Sequence, residues 1–133
     1  MTLPPVAYLD SSALVKLVVS EPESESLRTA LERWSRFASS ALARTEVVRA
    51  AAQRGSLARR TATWLVRTLE LVSLTDEILD AATEVEPVAL GSLDAIHLVS
   101  ALSLGDALGA VVTYDARLAD AARGAGLTVL SPA

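Results

Sequence analysis

Four carboxylates in this chain stand where a carboxylate can do chemistry. Asp10 closes the apolar run Val6, Ala7, Tyr8, Leu9, and Asp115 follows the run Ala110, Val111, Val112, Thr113. Asp94 falls in the first turn of the helical pattern SLDAIHLVSALSLG. Glu46 lies near the apolar side of ALARTEVVRAAAQRG, where a glutamate is seldom placed without a partner. Acids gathered together repel one another, and the chain has a single lysine, Lys16, to offset them. A divalent cation is the simplest counter-charge. Carboxylates hold Mg²⁺ or Mn²⁺ directly or through water. Such an ion lowers the pKa of a bound water and neutralises a phosphate oxygen. The hydroxyls of Ser12 and Thr113 are placed to orient these carboxylates or to bind metal-held water.

Each acid alone has a plainer reading. Asp10 could simply cap the helix that follows it. Glu21, Glu23, Glu25, Asp76, Asp80 and Asp120 fall on helix ends or outer faces and need no special role. It is the set of four, at strand ends and helix starts, that points to a site. The chain has no cysteine, which excludes disulfides and thiolate metal sites. The sole histidine, His97, follows Asp94 by one helical turn. A metal ligand or general base is one reading. The preference of hard cations for oxygen favours a structural role.

The elements that carry these groups follow from local pattern. VAYL reads as a buried strand, and Ser11 and Ser12 are good caps for the helix after it. Pro22 suits the first turn of a second helix, whose stripe is Leu27, Ala30, Leu31 and Trp34. Residues 36–39 read as a second strand. Ser39 or Ser40 caps the Glu46 helix, which Gly55 closes. Ser56 opens a helix patterned by Leu57, Trp64, Leu65, Leu69 and Leu71, and residues 72–74 read as a third strand. Thr75 caps a helix from Asp76 to about Glu86, ended by Pro87. Ser92 caps the Asp94 helix. Residues 110–113 form a strand, 116–126 a helix, and 127–130 a last strand. Strands alternating with helices predict one α/β domain over residues 1–133. Its three layers enclose a mostly parallel sheet of four to five strands with right-handed crossovers. Ligands of such sheets bind outside the carboxyl ends of the strands.

A hydrophobic fraction of 51% over 133 residues supports a well-buried core. The start, MTLPPV, lacks the features of a secretory leader, and no run is long enough to span a bilayer. A soluble, cytoplasmic protein is expected. The net charge of −4 does not advertise a nucleic-acid partner. Yet nine of the eleven arginines lie between Arg28 and Arg67, against only Glu32 and Glu46. That segment is either a solvated helical surface or a local track for a polyanion.

Taken together, four motifs resemble the PIN domain, and within it the small VapC-type toxins of toxin–antitoxin pairs. YLDSSALVKL is similar to the first family motif, an aspartate with a serine two positions on. ARTEVVRA is similar to the second, a helix with glutamate and then arginine. SLDAIHLVSA is similar to the third, an aspartate beginning a helix. VVTYDARLADAARGAGLTVL is similar to the last, Thr-x-Asp after a strand. The resemblance covers nearly the whole chain. It implies a PIN-like α/β/α fold, with Asp10, Glu46, Asp94 and Asp115 as the catalytic acids binding Mg²⁺ or Mn²⁺ and Ser12 and Thr113 supporting them. It further implies a metal-dependent endoribonuclease toxin that cuts a single-stranded stretch or loop of RNA. The products carry a 5′-phosphate and a 3′-hydroxyl. Such proteins inhibit translation and growth, form homodimers, and are neutralised by a cognate antitoxin.

With phosphate chemistry implied, the basic segment becomes a candidate RNA track, with Arg44, Arg49 and Arg54 its best-placed members. Arg49, one turn from Glu46, could pair with it instead. Trp34 and Trp64 sit in helical stripes and are read as core or dimer contacts rather than base stackers. The apolar helix faces of residues 14–19 and 47–71 are expected to form dimer and antitoxin surfaces. Two other functions compete. A receiver domain would need a lysine after a late strand, and none follows Val112 or Leu130. A catalytically silent PIN-like scaffold would bind RNA or protein without cutting.

Overall fold

A computed structural model describes residues 2–133. In chain order its elements are β1 (Val6–Leu9), α1 (Ser11–Val18), α2 (Ser24–Leu31), β2 (Arg36–Ser40), α3 (Ala43–Ala52) and α4 (Ser56–Arg67). Then come β3 (Glu70–Val72), α5 (Asp76–Ala82), α6 (Ser92–Leu102), a 3-10 turn (Gly105–Ala107), β4 (Leu108–Val112), α7 (Ala116–Gly124) and β5 (Val129–Leu130). All strand pairs are parallel, and the order across the sheet is β3-β2-β1-β4-β5. The expected layered α/β fold is therefore present, with five strands.

β1 is apolar at every position because helices cover both faces of the sheet. Ala7 and Leu9 turn to one layer, where Leu14, Leu27, Val47 and Val66 pack on them. Val6 and Tyr8 turn to the other, with Ala38, Val111 and Ala101. Each fully buried Leu or Val here contributes roughly 1.5–3 kcal/mol by leaving water. Leu98, Leu118 and Ala122 extend this second layer between α6 and α7.

Several boundaries differ from the sequence-based expectation, each for a local reason. The third strand is Glu70–Val72, two residues earlier than read from the pattern. Arg36 on the neighbouring strand makes a two-point ion pair with Glu70, at 2.8 and 3.1 Å, which pins that register. α5 stops at Ala82, and the Thr83 hydroxyl donates back to Asp80 O at 2.6 Å. The chain then turns so that Val85 packs in the cluster of Leu90. β5 is only Val129–Leu130. α6 has Gly91, not Ser92, at its N-cap.

Trp34 packs against the core, and its ring lies so close to Gly109 that a Cβ there would come within 2.6 Å of it. Trp64 departs from the core reading, since it is 66% exposed. The predicted partner surfaces need the same correction. Leu14, Val19, Val47, Ala62 and Val66 are consumed by the protein's own core, and residues 14–19 leave no large apolar side chain exposed. On α4 only Leu57 and Trp64 remain open. Among the described residues no helix is long and apolar enough to cross a membrane.

Candidate active site

The sheet order reverses between β1 and β4, the place where the carboxyl ends of an open α/β sheet form a crevice. Asp10 leaves β1 and Asp115 leaves β4 at this point. The Asp10 N–H donates to Val112 O at 3.2 Å, carrying the β1–β4 ladder one residue beyond Leu9 and Val112. Its carboxylate then serves two purposes. Oδ1 accepts from Ala13 N at 3.0 Å, which caps α1, and from the Ser12 hydroxyl at 2.7 Å. Oδ2 accepts from the Thr113 hydroxyl at 2.6 Å. The capping reading of Asp10 therefore holds, and both of its carboxylate oxygens are engaged. Burial pushes its carboxyl above the usual range, and the hydrogen bonds from Thr113, Ser12 and Ala13 partly oppose that.

The two predicted hydroxyls also knit the neighbouring loop. Thr113 Oγ1 accepts from Asp115 N at 3.0 Å, and Ser12 Oγ accepts from Tyr114 N at 2.9 Å. Asp115 caps α7, its Oδ1 accepting from Arg117 N at 2.9 Å and Leu118 N at 3.0 Å. Its Oδ2 accepts no hydrogen bond among the described residues.

Asp94, half-buried in the first turn of α6, has no hydrogen-bond partner among the described residues. Its carboxyl is raised first by burial, then by the charges of Asp115 and Asp10, with a further contribution from Glu46. The four predicted acids therefore share one electrostatic neighbourhood. None of them pairs with a lysine or arginine among the described residues.

Glu46 projects from α3, and its partner is His97 rather than Arg49. His97 Nε2 lies 2.8 Å from Glu46 Oε1, and the Ser11 hydroxyl donates to the same oxygen at 2.6 Å. Burial raises the Glu46 carboxyl, but these two hydrogen bonds and the imidazole outweigh it, and the net shift is downward. Behind His97, Nδ1 lies 2.7 Å from the hydroxyl of Tyr8, a fully buried side chain of β1. Ser11 and Tyr8 escaped the sequence reading. The signal for Tyr8 was a phenol inside a buried strand, whose hydroxyl requires a polar partner.

Among the described residues no three of these side chains stand as a preformed metal cage. Protein donors already hold Asp10 and Glu46. The donor set nevertheless suits a hard cation. It is all oxygen, and Asp94, Asp115 Oδ2 and Glu46 Oε2 retain acceptor capacity. Mg²⁺ commonly keeps several waters and takes only one or two carboxylates directly. Arg44, Arg49 and Arg54 are all exposed and make no ion pair among the described residues, whereas Arg36 is spent on Glu70. Arg49 and Arg59 line a cleft of about 300 Å³ beside α3. A hollow of about 1260 Å³, lined by Val85, Leu90, Leu98 and Leu102 among others, contains none of the four acids.

The family model for the PIN domain matches residues 7–124. This chain belongs to the PIN-domain family. The PIN domain is 46% identical over 125 residues to Ribonuclease VapC46 of Mycobacterium tuberculosis, covering 94% of this chain and 96% of that relative. It is 40% identical over 130 residues to Ribonuclease VapC47 of the same organism, with 94% and 96% covered. The crystal structure of M. tuberculosis VapC20, a toxin that cleaves the sarcin–ricin loop, matches with a TM-score of 0.76. That match covers 95% of this chain and 99% of VapC20 at 14% identity, a likeness of fold. The resemblance carried by the four motifs is thus confirmed at the level of family and fold.

Proposed function

We propose that this PIN domain is a metal-dependent endoribonuclease toxin of the VapC kind, acting on RNA in the cytoplasm and restrained by a cognate antitoxin. The reading rests on one observation above the rest: four acids from α3, α6 and the ends of β1 and β4 share one electrostatic neighbourhood, and none pairs with a lysine or arginine among the described residues. Its kinship to ribonucleases named VapC supports the same conclusion.

Asp10, Glu46, Asp94 and Asp115 would hold Mg²⁺ or Mn²⁺. Such an ion supplies a water nucleophile at neutral pH and neutralises phosphate charge. The chain's own residues do the positioning. Ser12, Thr113 and Ala13 N fix both oxygens of Asp10. The N-terminal amides of α7 fix Asp115, and Ser11 and His97 fix Glu46. Asp94 is left as the acid most destabilised by its neighbours. Exposed Arg44, Arg49 and Arg54 would meet RNA phosphates beside the crevice, and a single-stranded loop would present its backbone there. Hydrolysis would leave a 5′-phosphate and a 3′-hydroxyl. A homodimer and an antitoxin contact would use the remaining apolar surface, such as Leu57 and Trp64 of α4.

The test is cleavage of total RNA by the purified chain with Mg²⁺ or Mn²⁺ against EDTA, with 5′ ends mapped after induction in cells. Metal-dependent cuts that vanish in Asp10→Asn are expected. An Asp10→Asn variant that binds RNA as the parent does, beside a parent that never cuts, would establish the silent-scaffold alternative.

A further inference from the structure

We infer that His97 is a positioning residue for Glu46, part of a buried clamp that selects which carboxylate oxygen Glu46 offers to the crevice. This rests on the assignment of Glu46 as a site acid. His97 is 3% exposed and is the only histidine in the chain. Both ring nitrogens are engaged, Nε2 with Glu46 Oε1 at 2.8 Å and Nδ1 with the Tyr8 hydroxyl at 2.7 Å. Glu46 is held as a carboxylate, an acceptor only, so Nε2 must carry the proton. In the neutral imidazole Nδ1 is then the acceptor of the Tyr8 hydroxyl.

The geometry exceeds what packing alone requires. A buried imidazole could satisfy Nε2 with any backbone carbonyl. Here it reaches a half-exposed acid from another element, 51 residues away in sequence. The Ser11 hydroxyl donates to that same oxygen at 2.6 Å. Both donors occupy Oε1, so Oε2 is the oxygen left without a protein hydrogen bond. A glutamate on a helix surface otherwise samples many rotamers, and holding one lowers the entropic cost of recruiting it to an ion. Tyr8 completes the clamp from inside the sheet. Its hydroxyl, 2.7 Å from Nδ1, is the partner of the second ring nitrogen. The same aromatic pair meets edge to face, with centroids 5.9 Å apart, which fixes the plane of the imidazole.

The experiment measures Mn²⁺ binding to the full chain by titration calorimetry, with Mn²⁺ alone as the probe, beside thermal unfolding. His97→Gln places an amide N–H where Nε2 stood and should stay within a few-fold of the parent. His97→Asn cannot reach Glu46 and should weaken binding about 10–100-fold. In a Glu46→Gln background, His97→Asn should cost nothing further. Equal losses in the Gln and Asn variants, or a full additional loss in the Glu46→Gln background, would overturn the clamp. Glu46→Gln that binds Mn²⁺ like the parent would instead remove Glu46 from the site, and the clamp with it. Should His97→Asn fail to fold, Ser11→Ala removes the other donor to Oε1. It must weaken Mn²⁺ binding in the same direction, and unchanged binding overturns the proposal.

Discussion

The Thr113 hydroxyl donates to Asp10 Oδ2 at 2.6 Å across 103 residues of sequence, and Thr113 Oγ1 itself accepts from Asp115 N at 3.0 Å. One buried side chain thus connects the acid after β1 to the acid after β4. Thr113→Val keeps the shape but removes both bonds. It should cost about 1–3 kcal/mol in urea unfolding, because the Asp115 N–H and the Asp10 carboxylate lose their partner. Thr113→Ser should restore most of this. Cleavage should follow the same order, and a Val variant as active as the parent would contradict the assigned role.

Asp94 is expected to trade stability for function. Burial and the charges of Asp115 and Asp10 raise its folded-state pKa, so the folded protein binds this proton more tightly than the unfolded chain. The resulting stabilisation is fully present below the ordinary aspartate pKa of about 3.9 and is lost as pH rises through the raised value. Asparagine never acquires the charge. In EDTA, Asp94→Asn should therefore unfold at a higher temperature than the parent at neutral pH. The two should converge at acid pH, while the variant loses cleavage. A gap that does not change with pH would disprove the cost of burying this charge beside Asp115 and Asp10.

Mn²⁺ should reverse that ranking. A ligand at a hundred times its Kd stabilises the folded state by about 2.7 kcal/mol. The parent should gain melting temperature on addition of Mn²⁺, and Asp94→Asn or Asp115→Asn should gain much less. Equal gains in all three, measured by differential scanning calorimetry, would place the ion elsewhere.

The arginine assignment predicts a salt signature. Replacing Arg49 or Arg54 by Ala should weaken RNA binding uniformly across sequences. Each should also reduce the slope of log K against log salt by about 0.7–1. Arg36→Ala should leave that slope unchanged, because Arg36 is engaged with Glu70 at 2.8 Å. Filter-binding titrations at several salt concentrations separate the two.

Gly109→Ala tests the packing of β4 on Trp34. The added methyl would sit 2.6 Å from the indole and 2.9 Å from Pro5 Cβ, in contact with backbone-anchored neighbours. A loss of about 1–3 kcal/mol is expected from overpacking. A shift in tryptophan fluorescence should accompany it, with metal affinity unchanged in the folded fraction.

Legibility of the sequence varied with the range of the forces involved. β1 could be read because four consecutive buried residues, Val6 to Leu9, carry their own signal. β3 was misplaced because its register depends on Arg36, which no local pattern connects to Glu70. The apolar helical spacing of Trp64 reads as core or dimer contact, and its exposure of 66% removes only the core half of that reading. His97 was read as structural from the ligand preferences of hard cations. Those preferences say nothing about a contact with Glu46.

The order of apolar runs and helical stripes was enough to determine a parallel α/β sheet, to bring Asp10, Asp94 and Asp115 to element ends, and to put Glu46 near the apolar side of a helix. These are consequences of periodicity and chain order, which act over a few residues. The tertiary structure alone decided which donor each acid receives: Thr113 for Asp10, Ser11 and His97 for Glu46, and none for Asp94. A hydrogen bond forms over about 3 Å, whatever the separation in sequence, so only packing could decide those partners.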